Sequence, residues 1–312
     1  MRPESLVIRT ERLPSPCRTP QSVAPLLYGS PVIPRNVKIL DQFRAEARER
    51  NIPAADVERW LELVRPCALL TQDGDGPVVG RFGGPVMLPA DAEDPRFPLL
   101  ATIDCAALPT DVTDIPLPSD GRLLLFGFPE SDGGYESMGD VVYVPAGAAV
   151  EEREKYPPLY PPDDEECAAV YQELRQGELR LTTDISLPFV GTVELPGPPW
   201  SAPLPGHPHS EDLAEVWADQ WGGAPLVIGG YGTGFNGGDS VEIAAKSAAE
   251  AEEAGDRPGP GTTSADADDW VLLAECNVSR PGGGAAIFWA IQRDDLTAQR
   301  FGRAHVVVDW NP

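Results

Sequence analysis

The chain has 312 residues, 42% of them hydrophobic and 23% charged, a composition typical of a globular protein. A chain of this length buries about 75% of the surface that it exposes when unfolded. Its 49 acidic and 24 basic side chains leave a formal charge of −25, a field that repels nucleic acids and anionic membranes and attracts basic proteins or cations.

The charge is uneven. Residues 1–34 carry four Arg against two Glu, so the remainder holds −27 (−25 minus +2). Residues 91–176 contain nineteen acids and five bases, and residues 201–275 contain fourteen acids and two bases. Five cysteines, Cys17, Cys67, Cys105, Cys167 and Cys276, are widely spaced and form no CxxC pair. That usage suits a reducing compartment and gives no thiolate zinc knuckle. With no signal-peptide-like start and no long apolar run, the expected location is the cytoplasm.

In chain order, residues 1–34 hold seven Pro and read as a poorly ordered leader. A single domain is expected over 35–312, with room for two sub-lobes. Ile39, Leu40, Phe43 and Ala47 have helical spacing, Asn51 can end that helix, and Pro53 opens a second one to about Val64. Cys67–Thr71 and Pro77–Phe82 flank Asp73-Gly74-Asp75-Gly76, which predicts a hairpin. Strands are expected at Leu99–Cys105, Arg122–Phe128, Val141–Pro145 and Glu178–Ser186. Glu151–Pro162 reads as loop and Asp163–Leu174 as a short helix. Six Pro between Leu195 and His209 mark a connection between the sub-lobes. Beyond it come a helix at Glu211–Trp221, a glycine-rich segment and an alanine-rich helix at Ser240–Ala254. A mobile acidic loop at 255–269 precedes three strands at Trp270–Cys276, Ala285–Ile291 and His305–Trp310, with a helical turn at Asp294–Arg300.

Chemical motifs are sparse. Gly232-Thr-Gly234-Phe-Asn-Gly237 matches GxGxxG, but only a short apolar run precedes it and Asp239 follows it, where a phosphate would be repelled. It reads first as a tightly turned structural loop. His207 and His209 lack further metal-ligand spacing and read as exposed loop histidines, while His305 sits at the start of a strand. Asp73–Gly76 and Asp91, Glu93 and Asp94 fall short of a calcium loop. No nucleophile elbow or P-loop occurs, and neither metal nor cofactor is expected.

Several segments carry a resemblance: Arg81-Phe-Gly-Gly-Pro-Val-Met-Leu-Pro89, Pro98–Leu108, Leu117–Phe126, Val141–Val144, and Ile287–Leu296 followed by Phe301. In order and spacing they resemble the YwqG-like family of bacterial proteins, which has no established function. The resemblance spans roughly 37–310. It implies an α+β fold, mainly antiparallel β in roll- or sandwich-like sheets, with peripheral helices at the N-terminus and in the C-terminal half. The chain departs from that family by lacking a histidine before Gly229-Gly-Tyr231 and an acidic residue before the closing strand, where it has Pro281-Gly-Gly-Gly284.

Two functional expectations follow. The first is a noncatalytic interaction protein whose acidic surface meets a basic partner. The resemblance loosely implies an immunity-like inhibitor as one version. The second is a small-molecule enzyme or sensor using the 229–238 loop, with Gly229, Gly230, Tyr231, Gly232, Asn236 and Trp221 as candidate ligand-binding residues. Oligomeric state is left open.

Overall fold

A computed structural model describes residues 34–129, 136–234, 237–255, 261–280 and 283–311. Two helices, α1 (Pro34–Glu49) and α2 (Ala54–Leu61), precede β1 (Arg65–Thr71), β2 (Val78–Phe82), β3 (Val86–Pro89), β4 (Leu99–Asp104), β5 (Arg122–Gly127), β6 (Gly139–Val144) and β7 (Val150–Arg153). Then come α3 (Glu165–Glu173), β8 (Gly177–Ser186), β9 (Thr192–Glu194), β10 (Ser201–Pro203), α4 (Ser210–Gln220), β11 (Leu226–Ile228) and α5 (Ser240–Ala254). The last elements are β12 (Trp270–Arg280), β13 (Gly283–Gln292), α6 (Arg293–Thr297) and β14 (His305–Asn311).

Ten strands form one sheet in the order β14-β13-β12-β11-β1-β8-β2-β4-β5-β6, every pairing antiparallel. The sheet curls until its edges nearly meet. Beside β6, the Met138 amide donates to the Val306 carbonyl of β14 at 3.0 Å, and the Val306 amide donates to Ser137 Oγ at 3.1 Å.

The period-two alternation of side chains decides what faces inward. Ala68 and Leu70, Leu226 and Ile228, Leu123 and Leu125, Ile287, Trp289 and Ile291, and Val306 and Val308 meet in one interior cluster. Their sequence neighbours face outward. Cys67, Leu69 and Val227 form a small external cluster, Phe288, Ala290 and Val307 meet α5, and Leu124 and Phe126 meet α3. Trp289 is fully buried and its Nε1 crosses the interior to the Phe126 carbonyl at 3.0 Å. Residues between Cys105 and Leu117 stopper one mouth of the curled sheet with Leu108, Val112 and Ile115.

The helices lie outside. Phe43 of α1, Trp60 of α2 and Leu213 and Trp217 of α4 pack together over Ile185 and Leu187. Asn51 ends α1 in the left-handed region, φ 61°, a conformation that Asn tolerates better than most residues. The small side chains of Ala244, Ala245 and Ala248 let α5 approach Trp270 and Phe288 closely. Cys67, Cys105, Cys167 and Cys276 are buried and unbridged, and burial pushes the Cys105 and Cys276 thiols up to about 12.

The α+β, mainly antiparallel reading holds, with helices on the periphery. One local expectation is corrected. The Asp73–Gly76 turn does not make a hairpin of β1 and β2, because β8 inserts between them and pairs with both: Leu70 opposes Leu181, and Arg81 opposes Glu178. Turn chemistry is local, whereas β8 supplies a ten-residue strand with apolar positions for the interior. The Glu151–Pro162 stretch expected as loop also contains most of β7, paired with β3 in a separate two-stranded ribbon. Of the acidic stretch 255–269, the described part is bonded: the Ser264 amide donates to Gln292 Oε1 at 2.6 Å, and Trp270 Nε1 donates to the Ser264 carbonyl at 2.8 Å.

Because Trp289 fills the interior and bridges it, Trp289→Ala is expected to cost about 3–5 kcal/mol in urea denaturation. Trp289→Phe should cost about 1–3 kcal/mol, chiefly through the unpaired Phe126 carbonyl. A loss well below 1 kcal/mol for Trp289→Ala would contradict a tightly packed interior.

Candidate functional site

The glycine-rich segment leaves the end of β11, where the Gly229 amide still bonds the Leu273 carbonyl, and continues toward the start of α5. Two of its positions bring the backbone close to neighbouring side chains. Gly230 has φ +73°, and a Cβ there would lie 2.9 Å from Ser186 Cβ and 3.0 Å from Cys67 Cβ. A Cβ on Gly232 would fall 2.1 Å from Ser240 Oγ.

Three side chains from distant segments hold this backbone. Asp114 Oδ1 accepts from the Gly230 amide at 2.9 Å, Ser186 Oγ from the Tyr231 amide at 3.1 Å, and Glu275 Oε2 from the Thr233 amide at 2.8 Å. The Thr233 hydroxyl donates to the other Glu275 oxygen at 2.8 Å, and Asn277 Nδ2 donates to that same oxygen at 3.0 Å. Tyr231 sends its hydroxyl to the Leu63 carbonyl at 3.0 Å and carries the Arg65 guanidinium 4.1 Å above its ring. Arg65 Nε also lies 3.6 Å from Asp114 Oδ2.

Electrostatics follow from enclosure. Burial raises the Asp114 pKa, opposed by the Gly230 amide and Arg65. Glu275 is 1% exposed, and burial raises its pKa too, opposed by Thr233 and Asn277. Burial likewise raises Asp239, whose Oδ1 caps α5 by accepting from the Val241 and Glu242 amides at 2.8 and 3.0 Å. Among the described residues no cation pairs with Glu275; amide and hydroxyl donors compensate its desolvation.

This arrangement anchors a loop. The amides of Gly230, Tyr231 and Thr233 already end on protein acceptors, so a phosphate seated on them would have to displace Asp114, Ser186 and Glu275. Capping by Asp239 occupies the α5 N-terminus in the same way. Both Glu275 oxygens accept bonds, and no proton-accepting face is presented to solvent.

Gly229, Gly230, Tyr231 and Gly232 are consecutive and share this surrounding. Trp221 packs 5.5 Å from the rings of both Phe189 and Trp217 and against the cluster of Cys67, Leu69 and Val227. Asn236 lies outside the described residues. Arg65, Asp114, Ser186 and Glu275 escaped the sequence reading. Glu275 alone left a signal, an acid inside the apolar run Trp270–Cys276, whereas Asp114 lies in a loop with no motif.

The histidines differ from expectation. His207 is half-buried against Trp60, with ring centroids 5.5 Å apart, and burial lowers its pKa. His209 lies 3.7 Å from Asp56 and 3.8 Å from Asp212. His305 is 1% exposed, its Nε2 3.1 Å from Ser247 Oγ of α5. As the first residue of β14 it shares the outward face of Val307 and is buried beneath α5. No group of three or more metal-ligating side chains suited to an ion occurs among the described residues. Beside the interior cluster, Phe82, Leu100, Leu174, Arg175, Cys276, Asn277 and Val278 line a small pocket.

The structure thus defines a helix-clad, nearly closed antiparallel sheet with a packed interior and a carboxylate-anchored glycine loop on its rim. A family described as "Domain of unknown function (DUF1963)" matches residues 80–310, well over half of the chain, and the chain belongs to that family. No curated protein matches it significantly.

Two outcomes test the anchor. Gly230→Ala forces a Cβ into Ser186 and Cys67 at positive φ and is expected to cost about 1–3 kcal/mol in thermal unfolding. Glu275 titrates higher in the folded than in the unfolded chain, so the folded state holds its proton longer. The stability of the native protein relative to Glu275→Gln should therefore fall as pH rises from the ordinary carboxylate range through the raised value, read by urea denaturation across pH. A difference that grows with rising pH would show the carboxylate to be stabilised by charge instead.

Proposed function

We propose that this YwqG-like member of the family is a cytoplasmic, noncatalytic interaction protein that binds a basic protein partner. The observation that carries this reading is a concentration of exposed carboxylates on one part of the surface. Asp91, Glu93 and Asp94 follow β3, Glu151, Glu152 and Glu154 lie on and after β7, Asp163 precedes α3, and Glu165 and Glu166 begin it. The apolar residues of these segments, Leu88, Ala92, Val170 and Tyr160 among them, share one cluster, so the acids surround one lobe. Arg153 is ion-paired there with Glu151 at 2.8 Å and approaches Asp94 at 3.7 Å; among the described residues, the other acids of the set have no ion pair.

An exposed apolar side chain supplies a contact that charge alone cannot: Leu159, 70% exposed, follows β7 and precedes Tyr160 of the same cluster. An apolar anchor ringed by charge is the usual composition of a protein interface. An immunity-like inhibitor of a basic toxin is one concrete form of this function. No helix of the described residues is long and apolar enough to cross a membrane.

A second reading, a small-molecule enzyme or sensor at Gly229–Gly238, is favoured by the convergence of Arg65, Asp114 and Tyr231. Thermal shifts against a metabolite and nucleotide panel separate the two, since a ligand at 100 times its Kd adds about 2.7 kcal/mol of stability. For the leading reading, the immobilised protein should retain a discrete basic protein at low salt and release it as ionic strength rises, because screening shortens the reach of surface charge to about 3 Å at 1 M. Retention that ignores salt, or that selects acidic proteins, would overturn it.

A further inference from the structure

Strand β7 is the exposed member of a two-stranded ribbon, and among the described residues it pairs with β3 alone. Alternate residues of an antiparallel strand turn their amide and carbonyl away from the partner, so β7 presents unpaired backbone donors and acceptors along its free edge. Val150, Glu151 and Glu152 are exposed. The ribbon itself is firmly held. Val86 and Leu88 of β3 are buried, and Arg153 donates to the Pro89 and Ala90 carbonyls at 3.1 and 3.0 Å.

We propose that the free edge of β7 is the docking site for an extended basic segment of the partner protein, which adds to the ribbon as a third strand. This deepens the basic-partner reading and rests on it. Backbone ladder bonds supply the register, as in other cases of strand addition. The occupant is set by charge. A second copy of this chain would bring Glu151, Glu152 and Glu154 against their own counterparts, and like charges opposite one another across a ladder are unfavourable. Lys or Arg on an incoming strand would instead face those carboxylates, and Leu159, beyond the strand end, offers an apolar contact to a residue flanking them. The edge thus rejects self-association and accepts a basic strand.

The probe is a short fluorescent peptide of alternating Lys and Val, titrated by anisotropy against the full chain at low salt. Three comparisons accompany it: the peptide N-methylated at alternate residues, a Glu152→Lys/Glu154→Lys variant, and a Glu211→Lys control on α4. The expected result is about tenfold weaker binding for the methylated peptide and for the double variant, equivalent to about 1.4 kcal/mol, with the control unchanged. Amide exchange at Val150–Arg153 should slow on binding. Equal affinity of the methylated peptide, or exchange protection confined to another segment, would overturn strand addition while leaving a basic partner in place. Absence of binding by any basic peptide at low salt would overturn both.

Discussion

The near closure of the ten-stranded sheet governs the rest of this molecule. Its edge strands β6 and β14 are joined through Met138, Ser137 and Val306, and Trp289 ties opposite walls together by donating to the Phe126 carbonyl. A sheet curled this far has one face with no exit to water, so every second residue of nearly every strand must be apolar and must fit. The interior cluster obeys that rule from Ala68 to Val308. The outward positions then need separate covers, which α1, α2 and α4 supply on one side, α3 on another and α5 on a third.

Filling the interior displaces polar chemistry to the rim and the outer face. There the chain spends buried carboxylates on fixing backbone. Asp114, Ser186 and Glu275 come from three separate segments, and each accepts one amide of the glycine loop. Among the described residues Glu275 achieves this without a cation, holding its oxygens with Thr233 and Asn277 while burial pulls its titration upward. The glycine pattern that looks like a nucleotide motif on paper is, in space, a turn whose donors are already taken. Its glycines answer close approach, Gly230 to Ser186 and Gly232 to Ser240.

Charge of one sign remains on the outside. Much of it is balanced locally, as where Arg50 meets Glu46, Glu215 and Asp219, or Lys246 meets Glu194 and Glu242. Such exposed pairs contribute little to stability, typically under about 1 kcal/mol each. Around β3, β7 and the start of α3 the acids outnumber their bases, and that imbalance coincides with a strand edge that is unpaired among the described residues and with an exposed leucine. A surface that binds charge and a backbone that binds backbone lie within one lobe, in a family that has no assigned function.

By itself the amino-acid sequence determined the fold class, the order of most elements and the sides that they bury. The continuous apolar run Ala285–Ile291, the helical spacing of Leu213, Val216 and Trp217, and the Asp239 cap at the head of an alanine-rich run are local signals, and α5 begins and ends where they place it. Residue spacing could not reveal that β8 separates β1 from β2, that β7 exists within a charged, proline-rich stretch, or that Asp114 reaches Gly230 across 116 positions. Those outcomes were decided only by the tertiary structure. Strand pairing and side-chain-to-backbone anchoring depend on which surfaces remain unsatisfied once the sheet has curled, and no local pattern records that.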